Sequence, residues 1–280
     1  MRPSKVMAFF QFKRNEAIFS EHPFLDSPLI LASGVGRSGT TVLRHCLAAH
    51  PKVASYNHEC NYIHHLMRAA NLHMEEVGDS VPVGRREFWR MHRRTLLDLY
   101  WPTANWRTPE EYSAISTYSM LDPRSAIGLK EAFPRLAICY IIRNGIEVIS
   151  SYQSFRGFKE MTFEDVCKLW ALRQDMLQYQ SSRPHIFLCR YEWLIRDTPK
   201  FKQTLESAFQ SIGLEFNQAC LAPLSKRFHP TRFAGESRHA AKDPKQRSQR
   251  WKLWSDEQRE TFVRICGEAM THHQYEIPWL

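Results

Sequence analysis

ILASGVGRSGTTVLRHCLAAHP, residues 30–51, decides how this chain is read. An apolar, β-rich stretch (SPLILASG, 27–34) enters a glycine turn and then TTVLRHCLAAH, where Val42, Leu43, Cys46 and Leu47 share one helical face. A glycine turn between a buried strand and a helix points backbone N–H groups at the positive end of that helix, so it cradles an anion. In a phosphate loop of the form G-x-x-x-x-G-K-[ST], Gly34 and Gly39 would be the glycines and a lysine would follow. Thr40 stands there instead, and Arg37 lies inside the loop. Arg37 brings planar donors that match phosphate or sulfate oxygens. Thr40 and Thr41 bring hydroxyls where a triphosphate enzyme carries lysine and a magnesium ligand. Such a loop suits a phosphate- or sulfate-bearing ligand that needs no metal.

Working outward, VASY near residue 53 reads as a short strand. CNYIHHLMRAANLHM follows as a helix with Ile63, Leu66, Met67 and Ala70 in register. Residues 86–120 mix aromatic and basic side chains, and Pro102 and Pro109 divide them into a helix and a loop. AIGLKEAF and LAICYIIRNG read as two buried strands, the second feeding the helix IEVISSYQSF. TFEDVCKLWALRQDMLQYQ opens with Thr162 and Asp165 in capping-box positions and carries Phe163, Val166, Leu169, Trp170 and Leu177 on an apolar face. HIFLCRYE is a further strand, and PKFKQTLESAFQSIG a helix with Pro199 near its start and Gly213 at its end. The last helix opens on Ser255, with Gln258 completing its capping box. Strands alternating with helices predict an α/β fold: a single domain, 27–280, with a mostly parallel central sheet flanked by helices, after an N-terminal segment, 1–26.

Lys and Arg number 38 against 29 Asp and Glu, a formal charge of +9 that favours an anionic partner such as a nucleotide, nucleic acid or acidic saccharide. No zinc or RNA-recognition signature accompanies the charge, so nucleic acid is not expected as a partner. The seven cysteines (46, 60, 139, 167, 189, 220, 266) form no C-x-x-C pairs, and their odd number argues for a reducing compartment rather than a disulfide framework or zinc site. The apolar run VMAFF near the N-terminus is too short for a signal-peptide core or a membrane span. The expectation is a cytoplasmic protein, or the soluble catalytic portion of a longer one.

GRSGTTVLRHCLAAHP resembles the 5′-phosphosulfate loop of the sulfotransferases that use 3′-phosphoadenosine 5′-phosphosulfate (PAPS), and it is especially similar to the protein-tyrosine and Golgi-type branch. The resemblance implies a P-loop NTPase-like fold in which Arg37, Ser38, Gly39, Thr40 and Thr41 hold the 5′ phosphate and the sulfonate. YIIRNGIEVISSYQ resembles the family's second cofactor motif, with Arg143 ending a strand and Ser151 two helical turns later. An arginine at the carboxyl end of a parallel strand faces the ligand crevice, and both residues are assigned to the 3′ phosphate. Asn144 and Ile146 depart from the usual Asp and Arg and put the start of that helix in question. RYEWLIRDTP resembles the segment whose tyrosine approaches the adenine, which makes Tyr191 a candidate. The basic stretch TRFAGESRHAAKDPKQRSQR reads equally as a solvated loop or as a flap over the phosphates, with Ser248 and Arg250 as contacts. With the closing helix, the likeness spans residues 28–278.

Sulfonyl transfer needs a base for the acceptor hydroxyl, cations on the sulfonate in flight, and a donor for the departing oxygen. Arg37 fits the second role. The family places a carboxylate or histidine after the second strand, here YNHECNY, so Glu59 and His58 are both eligible and Glu59 is preferred. For the departing oxygen the family has lysine in a K-x-P segment. LDPRSAIGLKEAFP lacks it, which leaves Lys130, read at a strand end, or Arg124. In residues 86–120, Trp89, Tyr100, Trp101 and Trp106 could stack on a sugar or phenol, or simply form a helix's apolar face. The reading is an enzyme that moves sulfonate from PAPS to a hydroxyl or amine without metal, releasing adenosine 3′,5′-bisphosphate (PAP). Saccharide, phenol, peptide tyrosine and small metabolite all remain open as acceptors. The alternatives are a P-loop kinase, which Thr40 and the lack of a strand-ending Asp oppose, and a relative that binds nucleotide without turnover.

Overall fold

β1 (Leu29–Gly34) is buried along its whole length, as its unbroken apolar run demands. The computed structural model describes residues 22–80, 82–100, 112–154, 160–178, 183–225 and 250–280. Around β1 lie β2 (Val53–Glu59), β3 (Ala114–Tyr118), β4 (Leu136–Ile142) and β5 (Ile186–Arg190), in the order β2-β3-β1-β4-β5. Every neighbouring pair is parallel. The helices are α1 (Thr40–Ala48), α2 (Asn61–Val77), α3 (Arg85–Tyr100), α4 (Pro123–Ala132), α5 (Gly145–Gln153), α6 (Phe163–Gln178), α7 (Tyr191–Arg196), α8 (Thr198–Ser211), α9 (Ala222–Ser225) and α10 (Asp256–His272).

Parallel strands need crossover connections, and these helices cover both sheet faces. Leu29, Leu31, Ile115, Ile138 and Tyr140 pack with α2, α3 and α4 on one face. Ile30, Ala32, Ala137 and Cys139 meet α1 and α8 on the other. A third apolar cluster joins α5, α6 and α10 around Trp170, Trp254 and Phe262. All seven cysteines are buried, and none forms a disulfide. Among the described residues no helix is long and apolar enough to cross a membrane.

The third strand is not where the sequence places it. AIGLKEAF belongs to α4, and the strand is AISTY, a short buried run of small and β-branched side chains inside the segment read as helix and loop. Local chemistry explains the helix: Asp122 accepts from the Ser125 N–H at 2.8 Å, the Ser125 hydroxyl accepts from the Asp122 N–H at 2.9 Å, and Pro123 occupies the first turn. The capping boxes read at Thr162 and Asp165 and at Ser255 and Gln258 are formed.

β1 neighbours both β3 and β4, while the chain leaves β1 through α1 toward the β2 edge. The strand order therefore diverges at β1. In open parallel sheets that divergence leaves a crevice at the strands' carboxyl ends, which is where the loop between β1 and α1 sits.

Candidate functional site

The loop between β1 and α1 is built to leave donors free. Gly39 caps α1 in the left-handed region (φ 99°), no side chain caps the helix, and no acidic residue lies in its first turn. In contrast, α4, α5, α8 and α10 each receive a side-chain cap. The first N–H groups of α1 thus point unclaimed at the crevice with the helix dipole behind them. Ser38 is buried, and its hydroxyl has no hydrogen-bond partner among the described residues. Arg37 sits at φ 66°, an uncommon conformation for a residue with a side chain, and such strain concentrates at ligand sites. An anion with several oxygens fits this donor set.

Three tyrosines close around the loop. A Cβ on Gly36 would lie 2.4 Å from the Tyr152 hydroxyl, so that hydroxyl rests directly on the loop backbone. A Cβ on Gly39 would lie 2.6 Å from the Tyr191 ring. Tyr118, at the end of β3, lies beside Thr40, whose hydroxyl acts against the rise in the Tyr118 pKa. Burial pushes Tyr152 up to about 12 with a contribution from Glu59, against the pull of Arg37 and Arg173. Burial and Glu59 likewise raise Tyr118. Both hydroxyls therefore stay protonated and able to donate at neutral pH.

The two motifs read from the sequence meet here. Arg37 Nε donates to the Ser151 hydroxyl at 3.0 Å, and Arg143 Nη1 donates to the Arg37 carbonyl at 3.1 Å. Arg143 lies 4.1 Å over the Tyr191 ring and pairs with Glu147, its Nε 2.8 Å from the carboxylate. Its remaining N–H groups are left for a ligand. Asn144, the departure from the usual Asp, still caps α5 by accepting from the Ile146 N–H at 2.9 Å. Arg250 donates to Ser154 Oγ at 3.0 Å, at the far end of the same helix. Thr41 is on the exposed side of the first turn of α1. Ser248 lies outside the described residues.

Glu59 ends β2 opposite Tyr118, just after a register irregularity between Ser55 and Glu59 that re-aims the strand's last residues. Its carboxylate is exposed, and its charge reaches Tyr118, Tyr152 and Arg44. The side chain of His58 lies outside the described residues. Tyr56 and Tyr100 pack with ring centroids 5.1 Å apart, against the core cluster on the α2–α4 face. Trp89 is a core residue instead, and Trp101 and Trp106 lie outside the described residues.

Lys130 is a correction. It occupies the last turn of α4, bonds to the Pro134 carbonyl ahead of β4, and acts electrostatically on His185 just ahead of β5. That is the amino-terminal edge of the sheet, opposite the loop, so Lys130 cannot serve the departing oxygen. Arg124 lies within 4.0 Å of Glu75. The residue two positions before Pro123 is Leu121, fully buried. Sequence reasoning also passed over Tyr118, Tyr152 and Arg44, although Tyr152 directly follows Ser151.

A family model described as the sulfotransferase family matches residues 28–218, a span that holds the loop, Glu59, Arg143, Ser151 and Tyr191. The chain belongs to the sulfotransferase family. Membership makes its chemistry sulfonate transfer and disfavours the kinase reading. The sulfotransferase domain of the Synechococcus PCC 7002 olefin synthase superposes with a TM-score of 0.51 at 17% identity, over 90% of this chain and 96% of that one, and shares the fold. A sulfotransferase from Alicyclobacillus acidocaldarius gives 0.48 at 13% identity, over 90% and 97% of the two chains. Retinol dehydratase, in complex with androsterone and inactive cofactor PAP, gives 0.45 at 12% identity, over 90% and 83%. No curated protein matches the chain significantly.

Proposed function

We propose that this sulfotransferase uses PAPS as donor and transfers its sulfonate to an acceptor hydroxyl or amine, releasing PAP. The observation that carries the reading is the contact between the two motifs: Arg37 of the loop bonds Ser151, and Arg143 bonds the loop backbone. One anion-binding surface therefore runs from the uncapped end of α1 to the start of α5. PAPS supplies an activated sulfonate with a phosphate as leaving group. The loop N–H groups, Ser38 and Thr40 hold the 5′ phosphate, and Arg37 covers the sulfonate. Arg143 and Ser151 take the 3′ phosphate, Tyr191 lies toward the adenine, and Arg250 closes the α5 end. Glu59 accepts the acceptor proton.

Seven buried cysteines without a disulfide support a reducing, cytoplasmic setting.

Calorimetric titration with PAP in the absence of metal, beside magnesium ATP, tests the donor. Micromolar PAP binding with weaker ATP is expected. Preference for magnesium ATP would overturn the reading.

A further inference from the structure

The chain turns back sharply where α10 ends. The Gln274 N–H bonds the Thr271 carbonyl at 2.9 Å, the Tyr275 N–H bonds the Met270 carbonyl at 2.8 Å, and Gln274 sits at φ 58°. This is a Schellman stop in which glutamine holds the left-handed position that glycine usually fills. Tyr275 is thereby turned inward. It packs on the sheet cluster that includes Tyr140 and on the cluster joining α5, α6 and α10. Arg190, the last residue of β5, lies 5.4 Å over the Tyr275 ring and donates through Nη1 to the His273 carbonyl at 2.9 Å. The Tyr275 hydroxyl donates to Glu192 Oε2 at 3.1 Å, and the other carboxylate oxygen, Oε1, accepts from the Asn144 N–H at 3.4 Å. Burial and the Glu192 charge raise the Tyr275 hydroxyl, so it stays a donor at neutral pH.

The Asn144 N–H belongs to the peptide unit that follows Arg143, and the carbonyl of that same unit accepts from Trp170 Nε1 at 3.3 Å. A planar trans peptide points its N–H and C=O in opposite directions, so Glu192 and Trp170 pin this one plane from two sides. A Cβ on the next residue, Gly145, would lie 3.0 Å from the Trp170 ring, which leaves the turn no room to shift that way. We propose that Tyr275 is a positioning residue of the cofactor site: through Glu192 it fixes the peptide plane from which Arg143 reaches the 3′ phosphate, which makes the segment after α10 part of that site. The inference rests on the reading of Arg143 as the 3′-phosphate ligand. Without the Tyr275 hydroxyl, Glu192 Oε2 loses this donor, the carboxylate can turn, and the hold on the Asn144 N–H weakens. The ligand must then meet the cost of ordering Arg143, which the relay from Tyr275 meets in advance.

Adenosine 5′-phosphate (AMP) lacks the 3′ phosphate, so comparing it with PAP isolates the contact that Arg143 makes. Titrations of wild type, Y275F, E192Q and the double variant with each ligand give the ratio of the two dissociation constants. That ratio is unaffected by any unfolded fraction, because both titrations sample the same folded molecules. Y275F keeps the packed ring and loses only the hydroxyl, so PAP affinity should fall about fivefold or more while AMP stays within about twofold. E192Q weakens both hydrogen bonds of the relay and should lower PAP at least as far, again sparing AMP. It decides alone if Y275F does not fold. The double variant should fall little below E192Q, since the two side chains act in series. Equal weakening of both ligands, unchanged PAP affinity in Y275F, or fully additive losses in the double variant overturns the assignment. R143A tests the underlying reading separately: if wild type binds PAP no more tightly than AMP, or R143A keeps the wild-type preference for PAP, the placing of the 3′ phosphate is what fails.

Discussion

Gly36 and Gly39 exclude a side chain for different reasons, and the difference can be measured. Gly36 has an ordinary backbone conformation, and the obstacle to a Cβ is the Tyr152 hydroxyl. Gly39 meets the Tyr191 ring and also has φ 99°, which strains any L side chain. G36A should destabilise by roughly 1–3 kcal/mol, and adding Y152F should restore part of that loss. G39A should not be restored by shortening Tyr191, since the backbone strain remains. Denaturant titration of the singles and doubles checks both, and equal rescue at the two glycines would sink the distinction. At the same scale, R143A should weaken PAP by about 2 kcal/mol, because the guanidinium ties the loop carbonyl as well as the ligand. E59Q should bind PAP as wild type does and turn over roughly a hundredfold more slowly with any accepted substrate. Undiminished turnover would move the base to His58.

Among the elements, α4 carries the most specific expectations. Its capping box makes Asp122→Ala worth about 1 kcal/mol. Midway along the helix, a Cβ on Gly128 would fall 2.5 Å from the Met67 carbonyl of α2, a backbone atom that no rotamer change can move. G128A should thus cost roughly 1–3 kcal/mol with the loop and crevice untouched, visible as a lower thermal midpoint with PAP affinity retained in the folded protein. This helix also marks where the sequence was legible and where it was not. β1, β4, β5 and most helices announced themselves through apolar runs and capping residues. AIGLKEAF and AISTY are both short and buried, and burial alone does not separate a helix turn from a strand. The Asp-Pro-x-Ser cap at 122–125 was the discriminating sign, and reading it would have moved Lys130 to the far edge of the sheet. Arg37, Arg143, Ser151 and Tyr191 were legible because each belongs to a contiguous motif. Tyr152 was not, since an aromatic side chain within an apolar helix face reads as core until the loop it packs on is known.

For the whole molecule, acid stability follows from buried histidines. Burial lowers His185 to about 4, helped by Lys130 and Arg183, and lowers His273 to about 4, helped by His272 and Arg190. His64 is lowered for the same reason, its attraction to Asp122 only partly offsetting the desolvation. In the unfolded chain a histidine titrates near 6.5, so once the pH falls below about 6.5 the unfolded state binds protons that the folded state refuses. The stabilisation from His185 and His273 is complete above about 6.5 and is lost as the pH falls through about 4. Asp122 belongs to a lower window: burial opposes its ionisation, but the two Ser125 hydrogen bonds, with His64 and Arg68, outweigh it and hold the carboxyl below its ordinary range. Its contribution is therefore lost only below about pH 4. Between pH 6.5 and 4.5 the thermal midpoint should drop by roughly 5 °C or more. His185→Gln and His273→Gln should each make that drop shallower, whatever they do to the midpoint at pH 7. The slope is the informative quantity, because a substitution that merely loosens packing lowers the midpoint equally at every pH. If the slope were unchanged in the double variant, these two rings would have to be protonated in the folded protein, in conflict with their burial beside Lys130, Arg183 and Arg190.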